Sequence, residues 1–414
     1  LRACQKYFFD TINKNRRPRA RRNGESMMKT RELYYEDPMC SHFTATVTAC
    51  TPLGGGRFAV TLDQTAFFPE GGGQPGDRGT LTFNGAAVPV LDTQLQAGEP
   101  THLCAAPLPV GEKVDGALDW PHRFDLMQQH SGEHLVSGEV HRRFGYDNVG
   151  FHMGAELVTI DFNGLLTWQD MQAIEAAVNE AVWQNIPCRA WYPEDLESHP
   201  YRSKKALDGP VRLVQFGACD TCACCGVHVE ATGQIGLVKL LSVAKFRTGV
   251  RIEMACGARA LAIVNAQLAQ NREISQALSA KPDATAHAVA RLQGELAETK
   301  ARLHELENEA AARVAQRYAG QGSALHFTSG LAGDALRRLC LAIFESCGGR
   351  AAVFSQVGDV WQYAIAAPEG QDLRPVAKAL NAALNGRGGG KPGFIQGAVT
   401  ADRDAILQWF QSNA

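Results

Sequence analysis

No apolar run in this chain reaches the about 18 residues that a membrane-spanning helix requires, so no such span is expected. An excess of one charge is missing as well. Lys plus Arg number 41 against 43 Asp plus Glu, a net charge of -2, which removes any global attraction to a polyanion and leaves nucleic-acid binding to a local patch. The N-terminus carries no secretory leader pattern, and the cysteines are not spaced as a disulfide framework. Of 12 in total, Cys219, Cys222, Cys224 and Cys225 crowd together, a pattern that favours a reducing, cytoplasmic setting and metal chemistry over structural disulfides. Position 1 is not Met. Residues 1 to 33 read as a basic, disordered arm carrying Arg16, Arg17, Arg19, Arg21 and Arg22, with a start codon possible at Met27 or Met28. Such an arm could also touch RNA or act as a transit peptide.

What is present in abundance is ligand chemistry. His130-Ser131-Gly132-Glu133-His134 and Cys224-Cys225-Gly226-Val227-His228 each place two metal-binding side chains four residues apart, one helical turn, so each pair can face one point. Two imidazoles, a thiolate and a further imidazole suit Zn²⁺; Mg²⁺ would ask for oxygen. A single His on an apolar face is usually a hydrogen-bonded core residue, but two at this spacing with a Cys/His pair downstream are not readily explained so. Glu133, beside the pair, is a candidate general base. Cys219 and Cys222 form a C-x-x-C pair that could build a separate knuckle, although no second C-x-x-C stands at a suitable distance from it.

The chain reads as a multidomain α+β protein. Short strands such as Arg57-Phe58-Ala59-Val60-Thr61-Leu62, separated by turn residues, predict a small β-barrel or sandwich over 34–120. Within it, Gly71-Gly72-Gly73-Gln74-Pro75-Gly76-Asp77 allows close backbone approach to a ligand, or is a plain hairpin loop. Over 121–256 a metal-binding domain of helices on an antiparallel sheet is expected, with helices over Asp125–Phe144 and Trp168–Asn185. Leu261, Val264 and Leu268, then Val289, Leu292, Leu296, Leu303 and Leu306, predict a helical hairpin or short coiled coil over 257–321, broken at Lys281-Pro282-Asp283. Alternating strands and helices make 322–414 an α/β domain. There Arg387-Gly388-Gly389-Gly390-Lys391 joins free N–H groups to two cations, either a phosphate cradle or a simple turn.

Together these motifs resemble a known family. The two ligand clusters, with Gly249-Val250-Arg251-Ile252-Glu253, resemble the editing domain of alanyl-tRNA synthetases. The Gly71–Asp77 loop and Val149-Gly150-Phe151-His152-Met153-Gly154 are similar to the free-standing alanyl-tRNA editing proteins, the AlaX group, and Gly388-Gly389-Gly390-Lys391-Pro392 to the C-terminal domain that the synthetases share with DHH phosphoesterases. The resemblance covers about 34–414, with no counterpart of the aminoacylation module, which corresponds to the long free-standing form. It implies hydrolysis of mischarged tRNA(Ala), chiefly the seryl and also the glycyl ester, at a Zn²⁺ held by His130, His134, Cys224 and His228. Zinc there could polarise the ester carbonyl, lower the pKa of water, or position the substrate. The resemblance further implies His152 near the substrate side chain, Gly71, Gly72, Gly73, Gln74 and Arg251 at the substrate, Arg387 to Lys391 on tRNA, and a homodimer through the helical and C-terminal regions. One departure is plain: the family's usual Cys-Gly-Gly-Thr-His is here Cys224-Cys225-Gly226-Val227-His228, without the Thr hydroxyl.

Two other readings are open. His130 to His134 also fits H-x-x-E-H, a metallopeptidase signature with Glu133 as base, though those enzymes take a later Glu as third ligand. A closed, purely structural zinc could instead brace a tRNA-binding or protein-binding scaffold.

Overall fold

The computed structural model describes residues 29–203 and 209–413, so the arginine-rich stretch expected as an arm lies, up to residue 28, outside the described residues. The chain divides into two compact units, 1–269 and 270–414.

The expected edge of the arm at residue 33 needs correcting, because the chain joins the fold from Thr30. The Thr30 hydroxyl donates to the Leu62 carbonyl at 2.7 Å, and Arg31–Glu32 pairs in parallel with Gln64–Thr65. Burying Thr30 and Tyr34 explains why these residues are held. The first unit then closes a barrel of six strands in the order His42–Gly54, Arg57–Leu62, Glu99–Cys104, Ala86–Gln96, Gly79–Phe83, Lys113–Leu118. Inward residues alternate along the strands, and Val47, Val60, Leu62, Leu81, Val90 and Val114 fill the interior. A closed barrel leaves no edge strand to protect.

Leaving the barrel, the chain enters the long helix Trp120–Phe144, five residues earlier than the apolar spacing implies, because Asp119 caps it and Pro121 occupies its first turn. Gly145, at φ 69°, ends it, its N–H donating to the His141 carbonyl at 2.8 Å. The Arg123 guanidinium, fully buried in the first turn, donates from Nε to Asp77 Oδ2 at 2.8 Å and from Nη1 to the Pro38 carbonyl at 3.0 Å. It therefore rivets the helix to the far end of the Gly71–Asp77 loop.

Long helix and helix Trp168–Trp183 pack on an antiparallel sheet ordered Val238–Phe246, Gly249–Cys256, Val158–Phe162, Asn148–Met153. Met171, Ile174, Val178 and Val182 form the buried stripe that the spacing predicts. Gly132 sits where the helix crosses strand Gly249–Cys256, and a Cβ there would collide with the Cys256 sulfur. A smaller sheet, Cys188–Trp191, Leu213–Phe216, Asp220–Ala223, brings the second ligand cluster to the helix.

Helix Gly257–Ala277 runs across the division between the two units, and helix Thr285–Gln316 belongs to the second. The connection between these two helices lies at 278–284, where the Asn271 side chain donates to the Pro282 carbonyl at 2.7 Å. Leu292, Leu296, Leu303 and Leu306 are all exposed. A five-stranded mixed sheet follows, ordered Ala324–Ser329, Ala351–Val357, Val360–Ala366, Phe394–Val399, Gly386–Lys391, with helices Gly333–Cys347, Arg374–Ala383 and Arg403–Asn413. Among the described residues no helix is long and apolar enough to cross a membrane.

The glycine motif of this unit is neither turn nor open cradle. Gly386–Lys391 is the edge strand, paired with Phe394–Val399, so the ladder takes part of the N–H groups a phosphate cradle would use. Glycine is required at 388 because Gly397 stands directly opposite and a Cβ would lie 2.6 Å from the Tyr363 hydroxyl.

Candidate metal centre

Helical spacing puts His130 and His134 on one face of the long helix, both buried, and their ring centroids lie 5.4 Å apart. Cys224 and His228 reach them differently from the way their spacing implies. They lie in an irregular segment after strand Asp220–Ala223, not on a helical turn. Arg212 shapes that segment, its Nη1 donating to the carbonyls of Cys224 at 3.1 Å and Gly226 at 2.8 Å, while its guanidinium stacks 4.6 Å from the Tyr35 ring centre. The Tyr35 hydroxyl donates to the Cys225 carbonyl at 2.7 Å, and the Gly226 N–H donates to Cys224 Sγ at 3.3 Å.

The result is four donor atoms, from His130, His134, Cys224 and His228, all within 4.8 Å of one another. Cys224 Sγ is 3.4 Å from His130 Nε2 and 3.8 Å from His228 Nε2. Ligand atoms on a zinc tetrahedron stand about 3.3–3.6 Å apart, given bonds of about 2.0–2.3 Å. The donor set and its spacing therefore fit a metal of the zinc type.

The remaining ring nitrogens of the two helical histidines, His130 and His134, are occupied. His134 Nδ1 lies 2.8 Å from Asp220 Oδ2, and Arg202 grips the same carboxylate at 2.7 and 2.8 Å. Burial alone would raise the Asp220 pKa, but the hydrogen bonds from His134 and Arg202 outweigh it and hold the group below the ordinary carboxylate range. His130 Nδ1 lies 2.9 Å from Gln74 Oε1.

A cleft of about 540 Å³ opens beside the cluster, lined by His130, His134 and Cys224 together with Gly72, Gly73, Phe151, Tyr192 and Cys225. Gly72 and Gly73, at φ 61° and 85°, form a two-residue turn closed by reciprocal hydrogen bonds between Gly71 and Gln74. A Cβ at Gly72 would lie 2.9 Å from Cys225 Sγ and one at Gly73 2.5 Å from the Phe151 ring, so the turn can pack here only as glycine.

Several expected site residues fall elsewhere. Glu133 is buried, accepts from the Ser137 hydroxyl and the Asn148 amide at 2.6 Å each, and does not line the cleft, a poor position for a general base. His152 is exposed on the opposite face of its strand from Phe151, since neighbouring strand residues alternate. Phe151 is the residue that reaches the site, stacking on His130 at 5.3 Å. Arg251 lies away from the cleft, paired with Asp161 at 2.6 Å and over the Phe246 ring at 3.9 Å. Gln74 is fully buried behind the turn and not at the cleft surface. Arg387 borders a separate hollow of about 300 Å³ in the second unit. Asp220, Arg202, Phe151, Arg212 and Tyr35 escape the sequence reading. Only Phe151 carries a local signal, the strand alternation around His152.

Two family models match the chain: the threonyl and alanyl tRNA synthetase second additional domain over 211–253, and tRNA synthetases class II (A) over 13–122. The alanine–tRNA ligase of Pyrobaculum neutrophilum is 31% identical over 401 residues, which cover 92% of this chain and 44% of that protein. The alanyl-tRNA editing protein AlaX-L of Pyrococcus horikoshii is 32% identical over 241 residues, 56% of this chain and 59% of that protein. In the alanyl-tRNA editing protein Aarsd1 of Danio rerio, 28% identity extends over 90% of this chain and 96% of the relative. The chain thus spans less than two thirds of the two archaeal relatives. A solved C-Ala domain from Aquifex aeolicus alanyl-tRNA synthetase matches at 18% identity and a TM-score of 0.20, covering 22% of this chain and 92% of that one, too low to bear on the fold. Through these shared segments the chain is a homologue of the alanyl-tRNA editing proteins.

Proposed function

We propose that this chain is a cytoplasmic trans-editing hydrolase that deacylates mischarged tRNA(Ala), chiefly the seryl and also the glycyl ester, at a zinc site. The convergence of His130, His134, Cys224 and His228 beside an open cleft carries this reading. Homology to editing proteins supplies the class of substrate. Zinc held by His130, His134 and Cys224, with His228 close enough to steer water and not closing the fourth position, would supply Lewis acidity towards the ester carbonyl. His130, His134 and Cys224 face the cleft while His228 is set behind them, which favours a metal that meets substrate over one that only braces the fold. Gly72 and Gly73 bring bare backbone to the cleft wall, polar groups within reach of a seryl hydroxyl. A site that hydrogen-bonds a hydroxyl rejects the analogue lacking it strongly, which is what sparing the alanyl ester demands. Arg387 and Lys391 on the edge strand serve tRNA backbone contact, and the exposed leucines of helix Thr285–Gln316 serve pairing with a second copy. The peptidase reading loses its base with Glu133.

The test is ester loss from seryl-tRNA(Ala) and alanyl-tRNA(Ala), with and without a chelator. Chelator-sensitive loss of the seryl ester, with the alanyl ester spared, is the expected result. Survival of both esters in the presence of stoichiometric zinc overturns it in favour of a structural-zinc scaffold.

A further inference from the structure

Gln74 closes the glycine turn, and its side chain points away from the cleft into the fold, where it is fully buried. Its Oε1 meets two partners, the Val227 backbone N–H at 3.2 Å and His130 Nδ1 at 2.9 Å. A backbone N–H can only donate, so the atom facing Val227 must be the amide oxygen, and the usual ambiguity between the two ends of a glutamine is removed. An oxygen at this place can only accept, so His130 Nδ1 carries the proton. The lone pair then belongs to Nε2, the nitrogen 3.4 Å from Cys224 Sγ.

We infer that Gln74 is a positioning residue for the metal centre: it fixes the tautomer and ring plane of His130 and, through Val227, ties both ligand clusters to the glycine turn. Three observations meet here. Phe151 stacks on the His130 ring at an interplanar angle of 22°, so one group holds the ring face and the other its edge. Val227 lies between Cys224 and His228, so the same oxygen touches both ligand segments. The Gln74 Nε2, by contrast, has no partner among the described residues. The acceptor, not the donor, is what this side chain contributes. The histidine side chain in water prefers its proton on Nε2, the nitrogen the metal needs, and Gln74 reverses that preference before any metal arrives. The inference rests on the metal-centre reading.

The experiment uses the full chain, stripped of metal and titrated with Zn²⁺ against a chromophoric chelator. ¹⁵N shifts of His130 are read in the metal-free protein. Gln74→Met removes the acceptor at similar volume, and Gln74→Glu keeps one. Zinc affinity is expected to fall about 10–100-fold in Gln74→Met, as for other partners that orient a ligating histidine. Gln74→Glu is expected to restore it, and the wild-type His130 shifts should report the Nδ1–H form. Wild-type affinity in Gln74→Met, or an Nε2–H form in the metal-free wild-type protein, overturns the inference and leaves the proposed function standing. Failure of the wild-type chain to bind zinc brings down both. Should Gln74→Met not fold, the wild-type shifts and the Glu variant still decide.

Discussion

Asp220 and His134 come from segments 86 residues apart, yet Oδ2 of one and Nδ1 of the other stand 2.8 Å from each other in a fully buried setting. The carboxylate accepts and so holds the His134 proton on Nδ1, leaving Nε2 for the cluster. Arg202, gripping the same carboxylate, keeps it ionised. Asp220→Ala should weaken zinc binding about 10–100-fold by releasing the ring. Competition titration of the purified variant reads this directly, and unchanged affinity would show that His134 needs no orientation.

The Arg123–Asp77 pair predicts a stability effect. Both side chains are fully buried, and removing one leaves the other charged and uncompensated. Asp77→Ala should cost about 3–5 kcal/mol in urea unfolding. The double variant Asp77→Leu with Arg123→Met should cost less than either single change. A double variant as damaged as the sum of the singles would refute the uncompensated-charge account.

Acid sensitivity should arise partly in the barrel. His102 is buried between the Val60 carbonyl at 3.0 Å and the Thr65 hydroxyl at 2.8 Å, and burial pushes its pKa down to about 4. The unfolded chain titrates near 6.5, so between these values it binds the proton that the folded state refuses. Stability is then complete above about pH 6.5 and declines as pH falls towards 4, by about 3 kcal/mol in all. The difference in urea midpoint between the wild type and His102→Gln should shrink across that window. A constant difference would exclude His102 as the source.

Two neighbours on one strand should behave in opposite ways. Phe151→Ala removes the stack on His130 and should lower kcat/KM for the seryl ester by about tenfold or more, since displacement by about 1 Å can cost about 10²-fold. His152→Ala alters an exposed side chain and should leave activity within a factor of about two. Steady-state deacylation of the two variants side by side settles the assignment, and the reverse ranking would return His152 to the site.

Much of this was legible before the fold. His130 and His134 announce themselves because both lie on a single regular helix whose period sets their direction. The barrel strands and the stripe from Met171 to Val182 are visible for the same reason. Cys224 and His228 were found as a pair by a spacing that the structure then satisfies with an irregular segment braced by Arg212, an arrangement no local period describes. Asp220 and Gln74 act through tertiary approach alone. Gly386–Lys391 reads as a phosphate cradle or a turn because three consecutive glycines carry no strand signal, whereas Gly388 clears space for Gly397 and Tyr363 across a ladder.

The strand Asn148–Met153 carries one unpaired residue. Its register with Val158–Phe162 shifts so that Gly150 faces Asp161 and Asn148 faces Phe162, with Val149 left over between them. That extra residue acts as a frame marker. Deleting one residue upstream of Gly150 would let the ladder regularise, whereas a shift of the following residues by one would turn Phe151 outward and bring His152 against the His130 ring. A register slip beyond Gly150, which the extra residue guards against, would therefore change the chemical character of the cleft wall in a single step, from an aromatic face to a titratable one, without altering any ligand.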